Sequence, residues 1–149
     1  MDRVEVILEW SEGSWSHEVV LTSLGENRFR LEESIFGLEF EDISREERKR
    51  RPRVKDVIEA QMLEPGRLRF IRVIERARMK AKSWIIGDAI IDSPHFEHAL
   101  QKVMDLGGAW ERVFGGYLTV YLPRDSDYDL WTDLQRMEEE GKKAQGESS

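Results

Sequence analysis

The sequence predicts an α+β fold: an antiparallel β-rich N-terminal half followed by a β-α-β-β-α ferredoxin-like C-terminal half. Three observations carry this expectation. Apolar residues alternate with period two through most of the first 75 positions. A stripe at helical spacing (Phe96, Ala99, Leu100, Val103, Leu106) follows in the last third. Beyond it, Gly115-Gly116 joins two apolar runs, and a second stripe closes the chain with Leu130, Trp131, Leu134 and Met137. Strands grouped first and helices later indicate helices on one face of an antiparallel sheet.

Val4, Val6, Leu8 and Trp10 alternate with charged residues, and Trp15, His17, Val19 and Leu21 do the same after the turn residues Ser11-Glu12-Gly13-Ser14. The two runs read as a hairpin, with His17 half-buried. Gly25-Glu26-Asn27 turns the chain into a short strand over 28–32. Ile35 to Phe40 reads as an edge strand or an ordered loop. Ser44 with Glu47 forms a capping box for a short charged helix over 45–50 that Pro52 stops; polar all round, it reads as an exposed, mobile insertion.

Residues 54–63 and 67–75 form a second hairpin around Glu64-Pro65-Gly66. Leu68 and Phe70 face one way, then Ile71 and Val73 the other, which requires either two covered faces or a bulge. Strand character continues from Arg76 to Lys82, and a further strand runs from Trp84 to about Ile91. Ser93 and Pro94 read as the N-cap and first residue of a helix closed by Gly107-Gly108. Two strands flank Gly115-Gly116, and Ser126 or Asp127 caps a final helix. The expected organisation is one domain over residues 1–137, with a sub-boundary near residues 76–84, and a disordered acidic tail over 138–149.

The chain has 149 residues, no cysteine and a formal charge of −7. That length supports a single buried core. The absence of cysteine removes disulfides and thiolate chemistry. The first residues lack the basic-then-apolar order of a signal peptide, and no apolar run reaches the length of a membrane span. Cytoplasmic localisation, with no membrane partner, is the expectation.

The net charge conceals a pattern. Residues 1–44 carry −8, residues 45–82 carry +8 and residues 83–149 carry −7. The overall field disfavours general nucleic-acid binding. Within the basic segment, Arg76, Arg78, Lys80 and Lys82 alternate with Ala77, Met79 and Ala81. On one strand they would form a ladder of cations about 6.6 Å apart, flanked by Arg67 and Arg69. Such a ladder can track a phosphate backbone or meet an acidic protein. It can equally protect an edge strand or pair across strands with Glu5, Glu9 or Glu18.

Other chemistry is sparse. No G-x-S-x-G is present, and Ser16 and His17 point to opposite strand faces. His95 and His98 have the i, i+3 spacing of metal ligands but lack a third ligand at a recognisable spacing. Asp125, Asp127 and Asp129 copy the opening of a calcium loop, but Leu130 and Arg136 stand where the glycine and glutamate belong, so helix capping explains them. Neither glycine pair opens a helix after a strand as phosphate loops do. The expectation is no catalytic residue, no metal and no cofactor.

Several stretches together resemble a bacterial domain-of-unknown-function family, number 4265. They are His17-Glu18-Val19-Val20-Leu21, Arg28-Phe29-Arg30-Leu31, Val54-Lys55-Asp56-Val57-Ile58-Glu59-Ala60, the run from Gly66 to Glu75, Leu106-Gly107-Gly108, and Leu118-Thr119-Val120-Tyr121-Leu122-Pro123. The resemblance spans roughly residues 4–137 and implies a small soluble protein without assigned catalytic residues. The charged stretch 41–53 departs from it as an insertion, and 76–82 departs by being basic.

The functional expectation is a non-catalytic binding protein whose partner is another protein, with Arg67, Arg69, Arg76, Arg78, Lys80 and Lys82 as candidate partner-binding residues. Some of the five tryptophans are expected in an exposed patch. An immunity or antitoxin-like protein against a basic toxin, and a nucleic-acid binder using strand 76–82, are the alternatives.

Overall fold

The computed structural model describes residues 2–10, 13–33 and 45–147. The expected edge strand or loop over Ile35–Phe40 and the Ser44 cap lie outside them. The fold is α+β, and the chain divides into two compact units, Met1–Ala77 and Arg78–Ser149.

Unit 1 is a closed five-stranded barrel. Its strands are β1 (Asp2–Trp10), β2 (Gly13–Gly25), β3 (Arg28–Leu31), β4 (Val57–Glu64) and β5 (Arg67–Glu75). Neighbours pair antiparallel, and β1 closes on β5 in parallel through Glu5–Arg67, Val6–Leu68 and Ile7–Arg69. The interior holds Val6, Leu8, Trp15, Val19, Leu21, Leu31, Ile58, Ala60 and Leu68, the period-two set that the sequence exposes to inspection. His17 shares that parity but is exposed, its ring 5.7 Å from Trp15, which corrects the half-buried assignment.

The parity change on β5 is a bulge. Ala60 pairs with Phe70 while Glu59 pairs with Arg72, so Ile71 is the extra residue. Leu68, Phe70 and Val73 thereby all reach the core side, and Ile71 turns outward.

Two buried carboxylates fasten the segment ahead of β4. Asp56, 1% exposed, accepts from the Arg53 and Ala77 backbone N–H groups and from the Arg76 guanidinium, each at 2.8 Å. Arg76 also donates to the carbonyls of Lys49 and Arg51, which ties down helix α1 (Arg45–Arg50). Glu32 accepts from Lys55, from Arg30 at 2.6 Å and from Thr22 at 3.0 Å. Lys55 sits in the left-handed region at φ 68°, and its backbone N–H bonds to the Leu31 carbonyl.

Unit 2 is a three-stranded antiparallel sheet, ordered β6–β8–β7, with β6 (Met79–Ile85), β7 (Ala109–Val113) and β8 (Tyr117–Pro123). Helices α2 (Asp88–Ile91), α3 (Phe96–Asp105) and α4 (Leu130–Glu147) supply its core together with Leu118, Val120 and Leu122. Fully buried side chains such as Leu118 and Leu134 each stabilise by about 2 kcal/mol. Gly141 lies in the interior of α4 because a Cβ there would sit 2.8 Å from the Ala89 Cβ of α2.

Several expected boundaries are corrected. Arg76–Arg78 is not strand, since the Ala77 N–H goes to Asp56 rather than to a neighbouring strand. The apolar run Trp84–Ile91 is not one strand; the Gly87 carbonyl accepts from Ile90 and Ile91, and the chain turns into α2. Ser93 does not cap α3 but forms the turn before it, with its Oγ accepting from the His95 N–H. Asp129, not Ser126 or Asp127, caps α4. That helix runs on to Glu147, through much of the expected tail.

Acid stability follows from Glu32. Burial pushes its carboxyl upward, but the bonds from Lys55, Arg30 and Thr22 outweigh burial and hold it below its ordinary value of 4.5. The unfolded state therefore takes up the proton first, so this contribution is complete above pH 4.5 and disappears as pH falls through the lowered native value. Glu32→Gln should cost about 2 kcal/mol at pH 7. Urea titrations should also show a shallower loss of stability below pH 4.5 than the parent shows; parallel acid limbs would contradict this.

Candidate protein-binding surface

The helices of unit 2 cover the sheet face bearing Leu118, Val120 and Leu122. Alternation along a strand sends the intervening residues to the other face. One cross-strand row there is Ile85–Tyr117–Val113, set by the pairs Ile85–Tyr117 and Val113–Tyr117. Ile85 is 87% exposed and Tyr117 is exposed as well. The next row, Ser83–Thr119–Glu111, is polar, with the two hydroxyls 2.9 Å apart.

At the tip of the β7–β8 hairpin the apolar row is extended by Phe114, which is 88% exposed and has φ 53°. Left-handed backbone costs an ordinary L-residue about 1–2 kcal/mol, and glycine or asparagine would sit there with less strain. A bulky ring held outward in such a conformation gains nothing from burial. Gly116 fixes the turn against β6: its carbonyl accepts from the Ile86 N–H at 2.8 Å, and a Cβ on it would lie 2.6 Å from the Ile86 carbonyl oxygen. Ile85, Phe114, Gly116 and Tyr117 thus line one shallow apolar surface.

The six cations expected to form the binding site divide between the units, Arg67, Arg69 and Arg76 in unit 1 and Arg78, Lys80 and Lys82 in unit 2. Arg67 lies 3.8 Å from Glu5 and 3.6 Å from Glu64, and Arg69 donates to Gln61 at 2.6 Å. Arg76 belongs to unit 1 and is held by Asp56. Arg78 precedes β6, its carbonyl accepting from the Arg124 N–H. Lys80 and Lys82 share one face of β6, as Arg67 and Arg69 share one face of β5, and the Lys80 ammonium is bound to the Ser126 carbonyl. Ion pairs meet part of the central segment's charge: Lys55 and Arg67 reach Glu32 and Glu5 outside it, and Arg72 pairs with Glu59 at 2.8 Å within it.

Of the described tryptophan side chains, Trp110 and Trp131 are exposed, and none lines the surface of Ile85, Phe114 and Tyr117. Trp15 is buried; Trp84 stacks on Trp131 with centroids 6.1 Å apart, beside Lys80 and Lys82 on the helix side; Trp110 lies on β7. Near that stack, Tyr128 donates to Asp133 at 2.6 Å, and burial followed by Asp133 raises its hydroxyl above the ordinary range. Asp129 accepts from the Thr132 hydroxyl at 2.7 Å and from its N–H, which hold its carboxyl below the ordinary range. Its calcium-loop position is thus occupied with capping. His95 lies 3.9 Å from Glu140, and His98 is exposed.

Sequence reasoning missed the apolar surface because Ile85 and Tyr117 alternate like core residues. The only available signal was Phe114 standing immediately before Gly115-Gly116, where a turn residue is expected.

No protein-family model matches the chain, and no curated protein matches it. Among solved structures, a hypothetical protein from Neisseria gonorrhoeae is similar with a TM-score of 0.45 and 14% identity, over 93% of this chain and 89% of that one. Among the described residues, no helix is long and apolar enough to cross a membrane.

Phe114→Asn should leave unit 2 folded and raise its stability by up to about 1 kcal/mol in urea denaturation. A loss of stability would show that the ring has a structural role.

Proposed function

We propose that the chain is a non-catalytic binding protein whose partner is another protein, docked on the surface formed by Ile85, Phe114 and Tyr117. The observation that carries this is Phe114, a large apolar side chain both strained and almost wholly in solvent. Strain kept without burial points to use in the bound state, and desolvated aromatic anchors dominate protein interfaces. Tyr117 adds an apolar ring with a polar end, a residue type enriched at such interfaces.

Two finer assignments accompany this reading. The order β6–β8–β7, with β8 antiparallel to both neighbours, supports unit 2 as a ferredoxin-like split β-α-β arrangement. The lack of cysteine supports the cytoplasm as its site of action. We also retain the resemblance to domain-of-unknown-function family 4265 as part of the proposal.

The test is site-specific photocrosslinking in cells, with p-benzoylphenylalanine in place of Phe114 and, as a control, in place of exposed Gln135. The expected result is a discrete protein adduct at position 114 that disappears when Ile85→Glu is added, with no such adduct at 135. Absence of an adduct at 114, or equal adducts at both positions, would overturn the proposal. So would salt-sensitive binding of poly(U) that is lost in the Lys80→Glu, Lys82→Glu double variant, which would give the function to nucleic acid.

A further inference from the structure

The backbone of β6 is directional. Its pairing with β8 is flanked by two bonds, Arg124 N–H to the Arg78 carbonyl and Ile86 N–H to the Gly116 carbonyl. The register between them is unbroken, from Met79–Pro123 to Ile85–Tyr117. In an antiparallel ladder, residues that bond the neighbour alternate with residues that point away. Positions 78 and 86 bond toward β8, so Lys80, Lys82 and Trp84 do too. Met79, Ala81, Ser83 and Ile85 direct their N–H and C=O groups to the opposite edge. Among the described residues no strand pairs with that edge, and Ala81, Ser83 and Ile85 are exposed.

Open edges are ordinarily shortened, bulged, broken by proline or guarded by lysine, and of these devices β6 carries only the lysines Lys80 and Lys82. β6 has seven residues, no bulge and no proline. The other edge, β7, is five residues long and by the same alternation turns only Trp110 and Arg112 outward.

We propose that β6 accepts an extended strand of the partner protein by edge addition, and that this strand alternates acidic with apolar side chains. The inference rests on the protein-binding reading above and specifies its mode. Cross-strand neighbours lie about 5 Å apart. On one face the incoming strand meets exposed Lys82, whose ammonium favours a carboxylate, beside Lys80, which the Ser126 carbonyl holds. On the other it meets Ala81, Ser83 and Ile85, and its apolar side chains extend the surface of Ile85, Tyr117 and Phe114. Main-chain hydrogen bonds supply affinity in this mode, and the alternating side chains supply specificity.

The experiment uses the full chain and two fluorescein-labelled eight-residue peptides, one alternating glutamate with valine and one alternating lysine with valine, read by anisotropy at low salt. The glutamate peptide should bind at least tenfold more tightly. Ala81→Pro removes an outward N–H while leaving the β8 ladder intact, so it should abolish binding with an unchanged circular dichroism spectrum. If that variant does not fold, Lys82→Glu serves instead: it should reverse the preference between the peptides. Equal binding of both peptides, binding that survives Ala81→Pro in a folded protein, or no binding at all would overturn edge addition. Sedimentation that shows β6-dependent dimers of the chain without peptide would assign the edge to a second copy and overturn it as well. An adduct at position 114 in the crosslinking experiment would stand in any of these cases, so the two proposals fail separately.

Discussion

Every strand carries backbone hydrogen-bonding groups along two edges, and the destination of those groups governs what each unit of this chain can do. Unit 1 joins β1 to β5 and closes its sheet, pairing Glu5, Val6 and Ile7 with Arg67, Leu68 and Arg69. Its charged side chains follow the same pattern: Asp56 collects Arg76, Glu32 collects Lys55 and Arg30, and Arg72 meets Glu59. Part of the positive charge of the central segment is held in such local pairs, although its 14 cations outnumber its 6 acids. Unit 2 keeps β6 at the edge of an open sheet.

The open edge and the apolar surface are parts of one arrangement. The alternation that sends the Ala81, Ser83 and Ile85 backbone outward also places their side chains on the face away from the helices. Gly116 then seats the hairpin against Ile86, which brings Phe114 next to Ile85. A strained exposed ring, an exposed isoleucine and an unpaired backbone edge are each unfavourable for an isolated domain. In the proposed complex the partner strand pairs the edge and covers the two side chains.

Much of the barrel was legible because period-two alternation in β1 and β2 reports directly on burial, and even the Ile71 bulge is announced by the parity switch between Phe70 and Val73. Legibility failed where distant groups decide the local outcome. Arg76–Lys82 alternates like a strand, but Asp56, some twenty residues earlier, captures Ala77 and Arg76 and ends the strand pattern there. Trp84–Ile91 is short and apolar throughout, a pattern in which strand and helix cannot be separated by period. Gly87 marks the division only once its carbonyl is seen to accept from Ile90 and Ile91. The candidate site was missed for a related reason: a sequence shows that Ile85 and Tyr117 are apolar, but not that their side chains are exposed.

The most direct measurement is amide hydrogen exchange along β6, resolved by NMR on the free protein. If the edge is open, Ala81, Ser83 and Ile85 exchange at least tenfold faster than Lys80, Lys82 and Trp84, whose N–H groups face β8. Uniform protection along the strand would contradict the account, because it would mean that the outward edge is already paired.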